Sequence, residues 1–128
     1  MSGSGPVRGP GRPSVGVRVL RVAAPLGALA LAVPIGAAVA AGAPLGAEGG
    51  EILALAWGTV TLVDLGLALV LGWSWIAWRE ASPVRAVVWL AVVTVTGSVG
   101  VCLYLAGAAL RADDVAGVLV GPRRARPA

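Results

Sequence analysis

Apolar residues run almost unbroken from Val22 to Gly42, from Ile52 to Trp78, and from Val84 or Ala86 to Leu110. Each run reaches the roughly 20 residues a helix needs to cross the hydrocarbon core of a bilayer. The pattern predicts an all-α fold, an integral membrane bundle of three transmembrane helices with spans at about 22–42, 52–78 and 84–110. Residues 1–21 precede it as a flexible basic cytoplasmic tail, rich in Gly, Pro and Ser and carrying Arg8, Arg12, Arg18 and Arg21. Residues 111–128 follow as a short C-terminal tail. Its apolar stretch, Val115–Val120, is too brief to span, and it also carries Arg123, Arg124 and Arg126.

The joints between spans have their own chemistry. Ala43 to Glu51 reads as a short acidic loop with Glu48 and Glu51. Arg79 to Arg85 reads as a tight turn, with Pro83 in the first turn of the next helix behind Ser82 as its N-cap. Across that turn Glu80 is expected to pair with Arg85, while Arg79 faces lipid headgroups. Pro25 and Pro34 fall inside the first span, where a lipid-embedded helix tolerates them. A rival account of this segment is a signal peptide cleaved near Ala38-Val39-Ala40 or Ala41-Gly42-Ala43. Its apolar stretch is longer than the usual h-region, which favours a retained span.

Composition sharpens the exclusions. Of 128 residues, 58% are hydrophobic and 12% are charged, against about 25% charged in soluble domains. A soluble globular domain is excluded. The chain has no His and a single cysteine, Cys102, and all ten basic residues are Arg. Imidazole catalysis, a thiolate metal cluster and a lysine Schiff base are therefore absent, and the expectation is a protein that is not an enzyme and holds no cofactor or metal. The fragment Arg8-Gly9-Pro10-Gly11-Arg12-Pro13 loosely resembles a minor-groove hook. It is read instead as a juxtamembrane topology signal, with no nucleic-acid partner.

Three spans with this arginine distribution predict a multi-pass protein of the cell membrane, N-terminus cytoplasmic and C-terminus outside. Trp73, Trp75, Trp78 and Trp89 would form an aromatic belt at the inner interface, with Trp57 and Tyr104 near the outer one.

Asp64 is the one acid inside a span. It lies about 18 Å in from the outer end of the second span at 1.5 Å per residue, and a central Asp costs about 2.5–3.5 kcal/mol on insertion scales. It should face protein or water. Thr61, one turn away, and Ser98, at the matching level of an antiparallel third span, are its expected neighbours, and Tyr104 completes a candidate intramembrane polar site. Nucleophilic catalysis has no assembled pair, since Ser98 and Cys102 lack a base.

The succession Trp57-x3-Thr61-Leu62-x-Asp64, Trp75-x3-Arg79-Glu80-x-Ser82, Trp89, Gly97-Ser98 and Cys102-x-Tyr104 resembles a family of small three-span membrane proteins of unknown function. The resemblance covers Trp57 to Tyr104 and implies a fold but no activity. The expected role is a structural or interaction component of the membrane, in contact with the lipid bilayer and associating with itself or a larger membrane partner. The alternative is a small carrier or channel subunit that uses Asp64 for a proton or cation.

Overall fold

The computed structural model describes residues 12–80 and 82–121. They form six helices in the order α1 (Val15–Ala40), α2 (Leu45–Ala54), α3 (Ala56–Arg79), α4 (Pro83–Thr96), α5 (Ser98–Leu110) and α6 (Val115–Val120). The all-α class is as expected; three continuous helices are not what forms. Two helices, α1 and α3, are long and apolar enough to cross a membrane.

The largest departure lies in the expected third span. Gly97 takes φ 60° and ψ −139°, a left-handed conformation that side chains with a Cβ rarely adopt. It ends α4 and starts α5. Trp89 on α4 and Tyr104 on α5 would lie about 22 Å apart in one continuous helix. Their ring centroids are 4.8 Å apart. The two helices therefore double back as a hairpin with Gly97 at its tip. At 14 and 13 residues they are about 21 and 20 Å long, against about 36 Å for the 24-residue α3.

This reversal returns the chain to the end where it began. Ser14 N–H donates to the Asp113 carbonyl at 2.9 Å. Arg21 Nε and Nη2 donate to the carbonyls of Ala109 (2.9 Å) and Ala112 (3.2 Å), so a cation satisfies the electronegative C-terminal end of α5. The start of α1 and the end of α5 are thus hydrogen-bonded together at one end of the bundle.

The boundaries shift for local reasons. The segment expected as a tail to residue 21 is helical from Val15, because the Ser14 hydroxyl accepts from Val17 N–H and Arg18 and Arg21 ride on α1. Its first 11 residues, with Arg8, lie outside the described residues, as do residues 122–128 with Arg123, Arg124 and Arg126. The expected acidic loop 43–51 is mostly α2, which starts behind Pro44 and ends where Leu55 turns extended (φ −88°, ψ 130°). The expected C-terminal tail contains α6, whose first turn is capped by Asp114 through Gly117 N–H at 2.7 Å. Ser82 occupies the N-cap of α4, but its hydroxyl makes no capping bond.

Two buried clusters hold the near end. Val17, Ala108, Ala109, Ala112 and Val118 join α1, α5 and α6. Ile76, Val93 and Tyr104 join α3, α4 and α5, with Leu69, Trp75, Trp89 and Val101 packed around them. Small residues bring α1 and α5 together, Gly27 lying against Cys102. The far halves of α1 and α3 extend past the hairpin tip and stay bare, with Leu29, Val33 and Val39 on one and Trp57, Val63 and Leu67 on the other all exposed.

Candidate functional site

The polar chemistry of the molecule converges where α3 ends. Arg79 occupies the last turn of α3, where the helix dipole favours a cation. Its side chain does not face outward as the sequence suggested. Nε donates to the Val118 carbonyl of α6 at 2.8 Å, and Nη1 donates to the Tyr104 hydroxyl at 2.9 Å. Tyr104 in turn donates to Glu80 Oε1 at 2.7 Å. Neighbours in sequence, Arg79 and Glu80 are thus joined through a hydroxyl from α5.

The ring of Tyr104 is held as firmly as its hydroxyl. Trp89 meets it edge-on at 4.8 Å and 81°, and Trp75 at 5.5 Å and 88°, geometries worth about 0.5–1.5 kcal/mol each beyond area burial. The Arg79 guanidinium carbon lies 5.4 Å from the ring centroid, within cation–π range. Trp75 Nε1 donates to the Leu119 carbonyl at 3.1 Å, and Trp73 Nε1 to Ala86 at 3.0 Å. Together these contacts tie α3, α4, α5 and α6 at one level.

Glu80 also pairs with Arg85, Oε2 to Nη1 at 3.7 Å, as the turn chemistry predicts. Arg85 is 75% exposed, whereas the Glu80 side chain is only 16% exposed. The pair itself is worth about 0–1 kcal/mol, so the Tyr104 and Arg79 bonds carry more of the turn's order. A cleft of about 370 Å³ opens beside this assembly, lined by Arg79, Glu80, Arg85, Trp89, Leu103, Tyr104, Gly107, Ala108 and Arg111.

The four residues expected as an intramembrane polar site are not brought together. Thr61 donates to the Trp57 carbonyl of its own helix at 2.9 Å. Asp64 is exposed on α3 with no hydrogen bond or ion pair among the described residues. Gly72 packs on Val101, which sets Ser98 near the level of Leu69, so Asp64 stands about 7 Å beyond the hairpin tip. Tyr104 sits with the tryptophans at the near end, not near the outer interface, because α5 runs back. Among the described residues no group of three or more His, Cys, Asp or Glu is placed to hold a metal. The Tyr104 hydroxyl both accepts from Arg79 and donates to Glu80, which makes it a tie between the two.

Sequence reasoning missed the inward roles of Arg79 and Arg21 and the location of Tyr104. The signal available for Tyr104 was the Gly97-Ser98-x-Gly100 stretch inside an overlong apolar run, where a break is less costly than in an Ala- or Leu-rich helix.

No curated protein and no solved structure matches the chain. Residues 11–116 match the family described as protein of unknown function (DUF1475). This match reaches well beyond the Trp57–Tyr104 region where the resemblance was legible, taking in α1 and the start of α6. With most of its length covered, the chain belongs to the DUF1475 family.

Proposed function

We propose that the chain is a small polytopic membrane protein with two full spans, α1 and α3, and a re-entrant helical hairpin, α4–α5, that enters and leaves from the same face. The observation that carries this reading is exposure. Only 11% of the most apolar stretch of α1 and 6% of that of α3 is buried, far too little for core helices of a water-soluble domain. The arginines supply the orientation. Arg12, Arg18, Arg21, Arg79, Arg85 and Arg111 all belong to the end where α1 starts and α5 finishes, while Glu48 and Glu51 ride on α2 at the other. Arg8, Arg123, Arg124 and Arg126 adjoin the same end in sequence. A bias this one-sided supports a cytoplasmic position for that end.

In this reading the protein is a non-catalytic structural or interaction component. The near end is a rigid hub, and the bare far halves of α1 and α3 are the surfaces offered to lipid, to a second copy or to a larger membrane partner. Retention of α1 is part of the proposal, since cleavage near Ala40 would remove Val17, Ala24 and Ala28 from their packing. Reporter fusions joined at residues 12 and 121 should both read cytoplasmic, and one inserted after residue 48 should read outside. Opposite readings at 12 and 121 would overturn the hairpin topology.

A second reading draws on Asp64, an exposed carboxylate within the bilayer-length helix α3, since ionisable side chains inside spans mark ion and proton paths. Cation or proton flux into liposomes that Asp64→Asn abolishes would favour it over the structural role.

A further inference from the structure

We propose that the cleft beside Tyr104 binds the phosphate of an anionic phospholipid, with the acyl chain lying along α5; the proposal rests on the membrane reading above. Of the three arginines lining the cleft, Arg79 is committed to Tyr104 and Val118. The other two are available. Arg85 is 75% exposed and holds Glu80 only at 3.7 Å, and Arg111 is exposed with no side-chain bond among the described residues. Glu80, the one acid in the cleft, already accepts from Tyr104 on its other oxygen. The cleft therefore keeps a net positive charge, at a level marked by Trp73, Trp75, Trp78 and Trp89.

The wall below the charges fits a tail. Leu103, Gly107 and Arg111 stand at i, i+4 and i+8 along α5, on one face of the helix. Arg111 is at the cytoplasmic end, Gly107 offers open space with nothing within 4 Å of a would-be Cβ, and Leu103 deeper in is 52% exposed. Charge at the interface grading into an apolar groove toward the bilayer centre is the profile of a phospholipid. A free phosphate would use the arginines alone. The volume, about 370 Å³, falls at the lower end of the ~300–1,000 Å³ range of small-molecule sites.

Native mass spectrometry of the full chain from phosphatidylcholine nanodiscs, titrated with phosphatidylglycerol, tests this. Wild type should retain phosphatidylglycerol over phosphatidylcholine. Arg85→Gln/Arg111→Gln should weaken that retention about tenfold, and Gly107→Leu, which fills the groove without touching a charge, should weaken it severalfold. Arg12→Gln/Arg18→Gln should bind as wild type. Equal loss in the Arg12/Arg18 variant, or none with Gly107→Leu, would mean diffuse surface charge and overturn the site. Displacement of the lipid by millimolar inorganic phosphate would overturn the lipid assignment in favour of a free anion. A chain that inserts into the neutral nanodiscs yet shows no selectivity contradicts the lipid site alone, whereas a chain that fails to insert contradicts the membrane reading itself.

Discussion

Replacing Gly97 with Val should destabilise the protein by about 1–3 kcal/mol, the cost of holding a Cβ-bearing residue in a sparsely populated backbone region. Gly97 sits at φ 60° and ψ −139°, and a β-branched side chain is among the worst tolerated there. There is open space around its would-be Cβ, so the penalty comes from the backbone and not from a clash. The strain has one easy relief, which is to straighten α4 and α5 into a single helix. That would pull Tyr104 away from Trp89 and break its bonds to Arg79 and Glu80. The expected signature is a lower unfolding midpoint in detergent together with altered tryptophan fluorescence. Gly66→Val is the matched control, since Gly66 lies within α3 with nothing within 4 Å of its would-be Cβ, and it should leave both quantities nearly unchanged. If Gly97→Val behaves like that control, the turn is not set by this glycine.

The second large effect is expected at Arg79. Arg79→Ala removes one bond to a helix-terminal carbonyl and one to the Tyr104 hydroxyl. Hydrogen bonds to charged groups are worth about 1.5–3 kcal/mol each, so a loss of about 3 kcal/mol is expected. Tyr104→Phe keeps the edge-on packing with Trp75 and Trp89 while deleting the hydroxyl, and should cost about 1–3 kcal/mol. Because both substitutions break the same chain of bonds, the double variant should lose less than the sum of the two singles. Arg79→Lys should not restore stability, since a point ammonium cannot reach both acceptors in the way a planar fork does. Chemical unfolding in micelles measures all four. Strict additivity would mean that Arg79 and Tyr104 act independently, against the geometry.

Much of this was legible in the sequence, and the misses share a cause. The runs 22–42 and 52–78 largely coincide with helices α1 and α3, although Ile52–Ala54 fall in α2 and α3 starts only at Ala56, because continuous apolarity over 20 or so residues has few other solutions. The Glu80–Arg85 pair follows from the Pro83 turn, a local feature. What failed depended on contacts distant in sequence. Ser14 to Arg21 looked like a tail because the groups that tie it down, the Asp113 carbonyl for Ser14 and the carbonyls of Ala109 and Ala112 for Arg21, lie roughly ninety to a hundred residues away. Arg79 looked like an interfacial cation because its acceptors sit on α5 and α6. The run from Ala86 to Leu110 carries no charge, and hydropathy does not distinguish a single crossing from a hairpin that turns back. Only the conformational freedom of Gly97 marks the difference. With the hairpin, the arginines among the described residues all fall at the end where α1 starts and α5 finishes.

The account therefore rests on α5 running back toward the start of α1, and the native Cys102 offers a direct test. A Cβ placed on Gly27 would lie 3.3 Å from the Cys102 sulfur, close to the spacing of a disulfide. In a straight third span, Cys102 would sit about 27 Å from the cytoplasmic end and Gly27 about 8 Å from it, too far apart to join. Gly27→Cys, oxidised in native membranes and read by mobility of a fragment cleaved between α1 and α5, should form an intramolecular cross-link to Cys102 that the Cys102→Ser background abolishes. Absence of that cross-link, with both thiols shown to be free to react, would contradict the hairpin and the topology built on it.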